Sequence, residues 1–220
     1  MRICNVDIQE TPGKIGVFCS GGADSSILLY LLLKNTQSQI TVFTLGNKEK
    51  KYKNIDITKN VIEKCQLLTG RNIDQHILRN TDVQTKEEIF NTEFLQHVDN
   101  GNLKLLYTGF TSNPPQTVTE TFKNSSPIAI RDPEFVKPFW HRNDTLYTPF
   151  ANIDKTVIAQ MYTELDVMDS LFPVTRSCEW KDGMDGEDPG LEHCGICWWC
   201  EEREWANNRA ASVIKEINEF

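Results

Sequence analysis

Four short β-rich runs, each separated from the next by a longer helical one, constrain this chain more than any other feature. Residues 14–19 read as a buried strand and 25–35 as a helix; 40–45 form the next strand, followed by a helix over 56–69 that Gly70 closes. Residues 73–78 are a third strand. Thr85 and Glu88 make a capping box that opens a helix running to about residue 100 and stopping at Gly101, and 104–108 form a fourth strand ending at Gly109. Strands and helices alternating at this rhythm are joined by right-handed crossovers. The sheet is then parallel and covered on both faces, giving a three-layer α/β fold. Ligands of such sheets bind beyond the carboxyl ends of the strands, so residues 20–24, 44–47 and 109–113 are expected on one rim.

The rhythm breaks down over residues 111–148, where Pro114, Pro115, Pro127, Pro133 and Pro138 are scattered among polar residues. A loop region of this length is either a lid on the substrate side or a disordered insert. A helix returns with Asp154 as its N-cap and extends to Leu165. Residues 182–193 are acidic and glycine-rich, a loop. The last helix, over about 200–217, carries Ala206, Ala210, Val213 or Ile214, and Ile217 on one stripe, so it packs against the rest.

A chain of 220 residues can bury one sizeable core and is short for two independent domains. Its longest apolar run, residues 27–33, is far too short to cross a membrane, so no membrane partner is expected. Residues 1–12 lack the basic-then-apolar layout of a signal peptide, which makes the cytoplasm the default location. The net charge of -8 argues against binding long nucleic acid through its phosphates. Lys48, Glu49, Lys50, Lys51 and Lys53 form the densest basic group, either a local patch or a solvated loop.

Between the first strand and the first helix stands Ser20-Gly21-Gly22-Ala23-Asp24-Ser25-Ser26. A strand-to-helix junction is where backbone N–H groups and the helix dipole hold an anion, and two successive glycines let the main chain approach phosphate oxygens with no Cβ in the way. Ser20, Ser25 and Ser26 add hydroxyl donors. Asp24 would repel phosphate unless a cation lay between them, which makes it a candidate Mg2+ ligand. The Gly-Lys-Ser/Thr ending of a Walker loop is absent, so this is a different phosphate cradle.

Of seven cysteines, four crowd near the C-terminus: Cys178, then, after fifteen intervening residues, Cys194-Gly195-Ile196-Cys197-Trp198-Trp199-Cys200. Two overlapping C-x2-C steps gather three thiolates around one centre, and Cys178 returns from a separate segment to complete a tetrahedron. A closed Cys4 zinc site has no open position and serves structure. An iron-sulfur cluster is the alternative for four thiolates. His193 reads as a bystander to this set.

The glycine loop resembles the PP-loop of the ATP pyrophosphatase superfamily, Ser-Gly-Gly-x-Asp-Ser. That resemblance implies a Rossmann-like sheet of the adenine nucleotide alpha hydrolase type, over residues 1–150, with a helical zinc-binding appendage over 151–220. It also implies cleavage of ATP between the α and β phosphates. The main chain at Phe43 and Thr44 would hold adenine, and Gly109 would pass close to the nucleotide.

With the late Cys and Cys-Gly-x-Cys-x-x-Cys, the chain looks like the 7-cyano-7-deazaguanine synthase family. Thr175-Arg176-Ser177-Cys178 is similar to that family's Thr-x-Ser-Cys, and Arg203 with Ala206 to its arginine after the last cysteine. Tyr147-Thr148-Pro149-Phe150 followed by Lys155 is similar to its Thr-Pro-Leu and downstream lysine. Lys155 would then face the ATP phosphates, with a surface lysine as the alternative.

The resemblance implies ATP-dependent conversion of a 7-deazaguanine carboxylate and ammonia into amide and then nitrile, by a homodimer using Mg2+ and structural Zn2+. Asp24, Lys155 and Ser20 are the candidate catalytic residues. Ser20, Gly21, Gly22, Asp24, Ser25, Ser26, Phe43, Thr44, Gly109 and Lys155 are the candidate ATP contacts, and Cys178, Cys194, Cys197 and Cys200 the candidate metal ligands. Two stretches of the family pattern have no counterpart: Leu45-Gly46-Asn47-Lys48 stands where it carries an Asp-Tyr-Gly-Gln-like run, and its Pro-x-Arg-Asn segment is missing. Another adenylating enzyme on the same scaffold, or a nucleotide-binding protein without an acceptor site, therefore stays open. A sulfur-inserting enzyme would need a reactive cysteine near the nucleotide, and Cys19 is expected to point into the core.

Overall fold

The strand at residues Lys14–Phe18 organises the fold because it is bordered on both sides by parallel partners. In the computed structural model, which describes residues 2–3, 6–8, 11–46, 53–80, 95–122, 139–140, 145–178, 190 and 192–218, the strands are β1 (Arg2–Ile3), β2 (Val6–Asp7), β3 (Lys14–Phe18), β4 (Gln39–Gly46), β5 (Gln75–Asn80), β6 (Leu105–Tyr107), β7 (Phe139–Trp140) and β8 (Leu146–Tyr147). The helices are α1 (Ala23–Asn35), α2 (Lys53–Thr69), α3 (Leu95–Asp99), α4 (Gln116–Thr119), α5 (Lys155–Glu164) and α6 (Trp198–Asn218). The main sheet has the order β5-β4-β3-β6-β8-β7. All pairs are parallel except β7 on β8. β1 and β2 form a separate antiparallel pair.

The period-2 alternation of side chains sorts the sheet into two cores. Ile15 and Val17 of β3, Ile40 and Val42 of β4, Leu105 and Tyr107 of β6, and Tyr147 of β8 face a large cluster. That cluster takes in α1, Ile57, Val61, Ile62 and Cys65 of α2, and Ile158, Met161 and Tyr162 of α5. Phe43, Leu106 and Leu146 point to the opposite face and meet Ile77, Leu103 and Val98 of α3. Helices therefore cover both faces, and the architecture is the three-layer α/β arrangement expected.

Gly16 makes the second face possible, because a Cβ there would come within 2.7 Å of Leu106, 2.8 Å of Phe43 and 2.9 Å of Leu103 side-chain atoms. α1 is buried on nearly every side, with Ile27 to Leu33 all in the core. An all-round apolar helix must be central, and this one lies between the sheet, α2 and α5. Arg71 closes the turn after α1 by donating from Nη1 to the Leu33 carbonyl at 2.9 Å and to the Thr36 carbonyl, and from Nη2 to the Ser38 carbonyl at 2.9 Å.

Elements β3, β4, β5, β6, α1, α2, α5 and α6 appear where the sequence pattern placed them, with ends shifted by a few residues. Asp154 caps α5 by accepting from the Thr156 amide at 2.8 Å. Gly70 takes φ +68 directly after α2. Within the stretch expected as loop, β8 adds a fifth parallel strand beside β6, and β7 pairs with it. Strands of two residues carry no period for a sequence pattern to reveal. The Thr85/Glu88 capping box, the lysine group around residues 48–51, and most of the acidic loop lie outside the described residues. Among the described residues, no helix is long and apolar enough to cross a membrane.

Candidate active site and thiolate cluster

The glycine loop leaves the carboxyl end of β3, which has β4 on one side and β6 on the other. This is the point where the chain's connections diverge to opposite halves of the sheet, and such a point opens a ligand crevice. The loop is pinned below by the Cys19 amide, which donates to the Phe43 carbonyl at 2.9 Å. Gly21 adopts φ +79, and a Cβ there would come within 2.6 Å of Ile57 Cγ2, so glycine is required both by conformation and by space. Gly22 is the N-cap of α1, with extended φ and ψ and no side-chain cap. On the other side Gly109, after β6, lies directly against the Asp24–Ser25 backbone.

The three serines are arranged differently. The Ser26 side chain is fully buried and its hydroxyl donates to the Gly22 carbonyl at 2.7 Å. The Ser25 hydroxyl donates to the same carbonyl at 3.2 Å and accepts from the Ser20 amide at 3.2 Å. Ser20 is exposed, with Oγ 3.3 Å from Ser25 Oγ and accepting from the Gly22 amide at 3.4 Å. The amides of Ser20 and Gly22 are thus held by hydroxyls within the loop. Phe43 places its ring in the second core, and Thr44 is fully buried, its hydroxyl donating to the Cys19 carbonyl at 2.9 Å. Cys19 is buried, and burial pushes its thiol above the usual range. An attacking thiolate needs the opposite, so a sulfur-inserting role finds no support at this residue.

Asp24 stands in the first turn of α1, where a carboxylate suits the helix dipole. Its Oδ2 is 3.4 Å from Nζ of Lys155, the first residue of α5, so the structure brings these two predicted residues together. Lys155 is only 6% exposed, and Nζ lies 2.9 Å from Oε2 of the fully buried Glu202. The Trp199 ring centroid is 5.2 Å from the same ammonium. A lysine at a helix start, which the dipole disfavours, is compensated here by two carboxylates and an aromatic face. Sequence reasoning passed over Glu202 and Trp199. A signal was present: Glu202 precedes Ala206 and Ala210 at four-residue spacing on the stripe that α6 buries.

Arg203 ties α6 to the segment before the cysteines. Its guanidinium donates to Thr175 Oγ1 at 2.8 Å and to the Phe172 carbonyl at 3.0 Å, and stacks 3.7 Å from the Phe172 ring centre. Arg176 in turn donates its amide to the Gly21 carbonyl at 2.8 Å. Tyr162 of α5 donates its hydroxyl to the Ala23 carbonyl at 2.8 Å. The glycine loop is therefore braced by α5 and by residues 172–176, which lead into the first cysteine.

The four predicted thiols converge, with all Sγ atoms within 4.8 Å of one another. Cys194 and Cys200 are 3.8 Å apart and Cys197 and Cys178 4.0 Å. One ion bound at about 2.3 Å by each of four sulfurs spaces them about 3.8 Å apart, so the set fits a single tetrahedral metal ion. Gly195 turns the chain at φ +73, and the amides of Cys194 and Cys197 donate to Cys178 Sγ at 3.5 Å and Cys194 Sγ at 3.3 Å. Crowding against the Cys178 and Cys197 sulfurs pushes the Cys200 thiol well up, as expected where thiolates need a cation to ionise together. His193 Nδ1 is 3.7 Å from Cys200 Sγ.

The family model for asparagine synthase matches residues 10–81, the stretch from the approach to β3 through β5 that contains the glycine loop. It covers less than half of the chain. No curated protein matches the sequence. Among solved structures, the chain is similar to the U34-tRNA thiolase NcsA from Methanococcus maripaludis with its [4Fe-4S] cluster, at 12% identity and TM-score 0.44, covering 92% of this chain and 67% of that one. It is also similar to the NMN synthetase from Francisella tularensis, at 12% identity and TM-score 0.45, covering 90% and 85%. A third is the NH3-dependent NAD synthetase from Campylobacter jejuni subsp. jejuni NCTC 11168 in complex with the nitrate ion, at 9% identity and TM-score 0.40, covering 91% and 85%. Likenesses at this level say nothing about chemistry, which is read from the site itself.

Proposed function

We propose that this chain is an ATP-dependent ligase that cleaves ATP to AMP and pyrophosphate and joins ammonia to an activated carboxylate. The observation that carries the proposal is the glycine loop at the carboxyl end of β3, opening α1 and flanked by Asp24 and Lys155 3.4 Å apart. The family-model match over the same stretch supports it. In this role the amides of Ser20 and Gly22 exchange their serine hydroxyls for phosphate oxygens. Asp24 holds Mg2+, and Lys155 offsets charge that develops on the phosphates as the α–β bridge breaks. Mg2+ supplies charge neutralisation at the leaving pyrophosphate. Gly109 passes close to the nucleoside, and only the main chain at Phe43 and Thr44, whose side chains are turned into the fold, borders the adenine.

The acceptor in this proposal is a 7-deazaguanine carboxylate. Its oxygen attacks the α-phosphorus and pyrophosphate leaves. Ammonia then displaces AMP to give the amide, and a second ATP activates the amide oxygen so that loss of AMP and a proton leaves the nitrile. The Cys4 set holds a structural zinc ion, since thiolates sharing one centre suit a single ion better than a cluster in which each binds its own iron. A cytoplasmic homodimer completes the proposal.

Incubation with Mg-ATP, ammonium and 7-carboxy-7-deazaguanine, followed by mass spectrometry, tests it. AMP, pyrophosphate and a nitrile are expected. AMP without nitrile moves the acceptor to another carboxylate, as the asparagine synthase match allows. ATP bound but uncleaved overturns the enzymatic role.

A further inference from the structure

Glu202 is a carboxylate with no exposed surface, on the apolar stripe of α6, two residues after a cysteine of the metal set. A charge in such a place destabilises the fold unless it is compensated. It pairs with Lys155, which is itself almost fully buried and reaches from the first turn of α5. Lys155 has a second carboxylate nearby, but the two are not equivalent. Asp24 is 19% exposed and sits in the first turn of α1, while Glu202 is sealed between α5 and α6.

The position of Glu202 is set by the thiolate knuckle. α6 starts inside the cysteine set, and the amides of Cys200 and Glu201 donate to the Cys197 carbonyl at 2.9 and 3.1 Å. Cys197 directly before α6 and Cys200 in its first turn therefore bracket the Trp199 ring beneath the ammonium, and the Glu202 carboxylate beside it follows two residues later. We infer that Glu202 is a positioning residue: it holds the Lys155 ammonium against the glycine loop, and the Cys4 knuckle anchors Glu202 in place. A metal site that touches no substrate thereby controls the phosphate-facing charge. This rests on the proposed role of Lys155 toward ATP. When Asp24 turns to a cation, Glu202 stays with the lysine and keeps it from swinging into solvent.

The full-length, metal-loaded protein is treated with an acetylating reagent, and labelling rates at Lys155 and at the exposed Lys14 are read by peptide mass spectrometry without nucleotide. In the native chain, Lys155 is expected to react at least about tenfold more slowly than Lys14. In Glu202→Gln, labelling of Lys155 rises about tenfold while Lys14 and the zinc content are unchanged, and the Kd for Mg-ATP rises by a similar factor. Should Glu202→Gln not fold, stripping the metal from the native protein with a chelator is expected to release Lys155 in the same way. A purely stabilising Glu202 would leave Lys155 as slow as in the native chain below the melting temperature. Unchanged labelling in both the variant and the stripped protein overturns the inference. Released labelling in a protein that never binds ATP keeps the positioning role and removes the ATP proposal instead.

Discussion

Gly109 lies so close to Ser25 that a Cβ at position 109 would come within 3.0 Å of the Ser25 amide nitrogen and 3.1 Å of its Cα. The atoms it would meet are helix backbone, which cannot rotate aside. Gly109→Ala is therefore expected to push the end of β6 away from α1 and to cost about 1–3 kcal/mol in urea denaturation. Gly21→Ala adds a positive φ of +79 to a 2.6 Å clash with Ile57 and is expected to cost more. Gly22→Ala has an ordinary φ, and a Cβ there would meet nothing nearer than Ser20 Oγ at 3.4 Å, so its stability should stay within about 0.5 kcal/mol of the native chain. Its Mg-ATP affinity should nevertheless fall, because a methyl group there crowds the approach of phosphate. Equal ATP affinity in Gly22→Ala and the native protein would remove Gly22 from the cradle.

Much of this arrangement was legible in the sequence because the central strands are buried on both faces and the helices between them are long. Ile15, Val17, Ile40 and Val42 had to be interior wherever the chain folded as alternating strands and helices. The cysteine spacing likewise brought its four residues together without further information. What the pattern could not disclose depends on contacts between distant segments. β8 has two residues and takes its identity from β6. The direction of the Ser26 hydroxyl is set by the Gly22 carbonyl. Glu202 reads as one more surface acid after Cys200 until Ala206 and Ala210 fix the buried stripe on which it lies.

The thiolate cluster draws ligands from two segments, with Cys178 near residues 172–176 and the others at the start of α6. Elemental analysis is expected to find one zinc per chain and no stoichiometric iron. Cys178→Ser should lose the metal, because three remaining thiolates share one short segment and no longer clamp it to the chain before it. The same variant should lower the melting temperature and make it insensitive to chelator, whereas the native protein should melt earlier once chelator is added. Stoichiometric iron with visible charge-transfer absorption would overturn the zinc assignment.

Asp24→Asn separates the proposed metal-ligand role from a structural one. The carboxylate is 3.4 Å from Lys155, which retains Glu202 at 2.9 Å, so the variant is expected to fold. Loss of the anionic oxygen should lower AMP formation by about 10²–10³-fold and raise the Mg2+ concentration needed for half-maximal rate. Full AMP formation by Asp24→Asn would eliminate the assignment.

His76 gives the fold a pH dependence whose sign follows from its surroundings. Its Nε2 lies 2.9 Å from Thr44 Oγ1, and that hydroxyl gives its proton to the Cys19 carbonyl beneath the glycine loop, so the imidazole must donate from Nε2. Burial, followed by the positive charge of Lys59, lowers the His76 pKa below its ordinary 6.5. The unfolded chain therefore binds the proton more readily than the native one. The stabilisation is fully present above 6.5 and is lost as pH falls through 6.5 toward the lower native value. An NMR titration of the ring should give a native midpoint below 6.5. Denaturation at pH 7.5 and at pH 5.5 should show a larger drop for the native protein than for His76→Asn, whose amide can keep the donor to Thr44 without taking up a proton. A native midpoint at or above 6.5, or equal drops in both proteins, would contradict the burial of this ring as the cause.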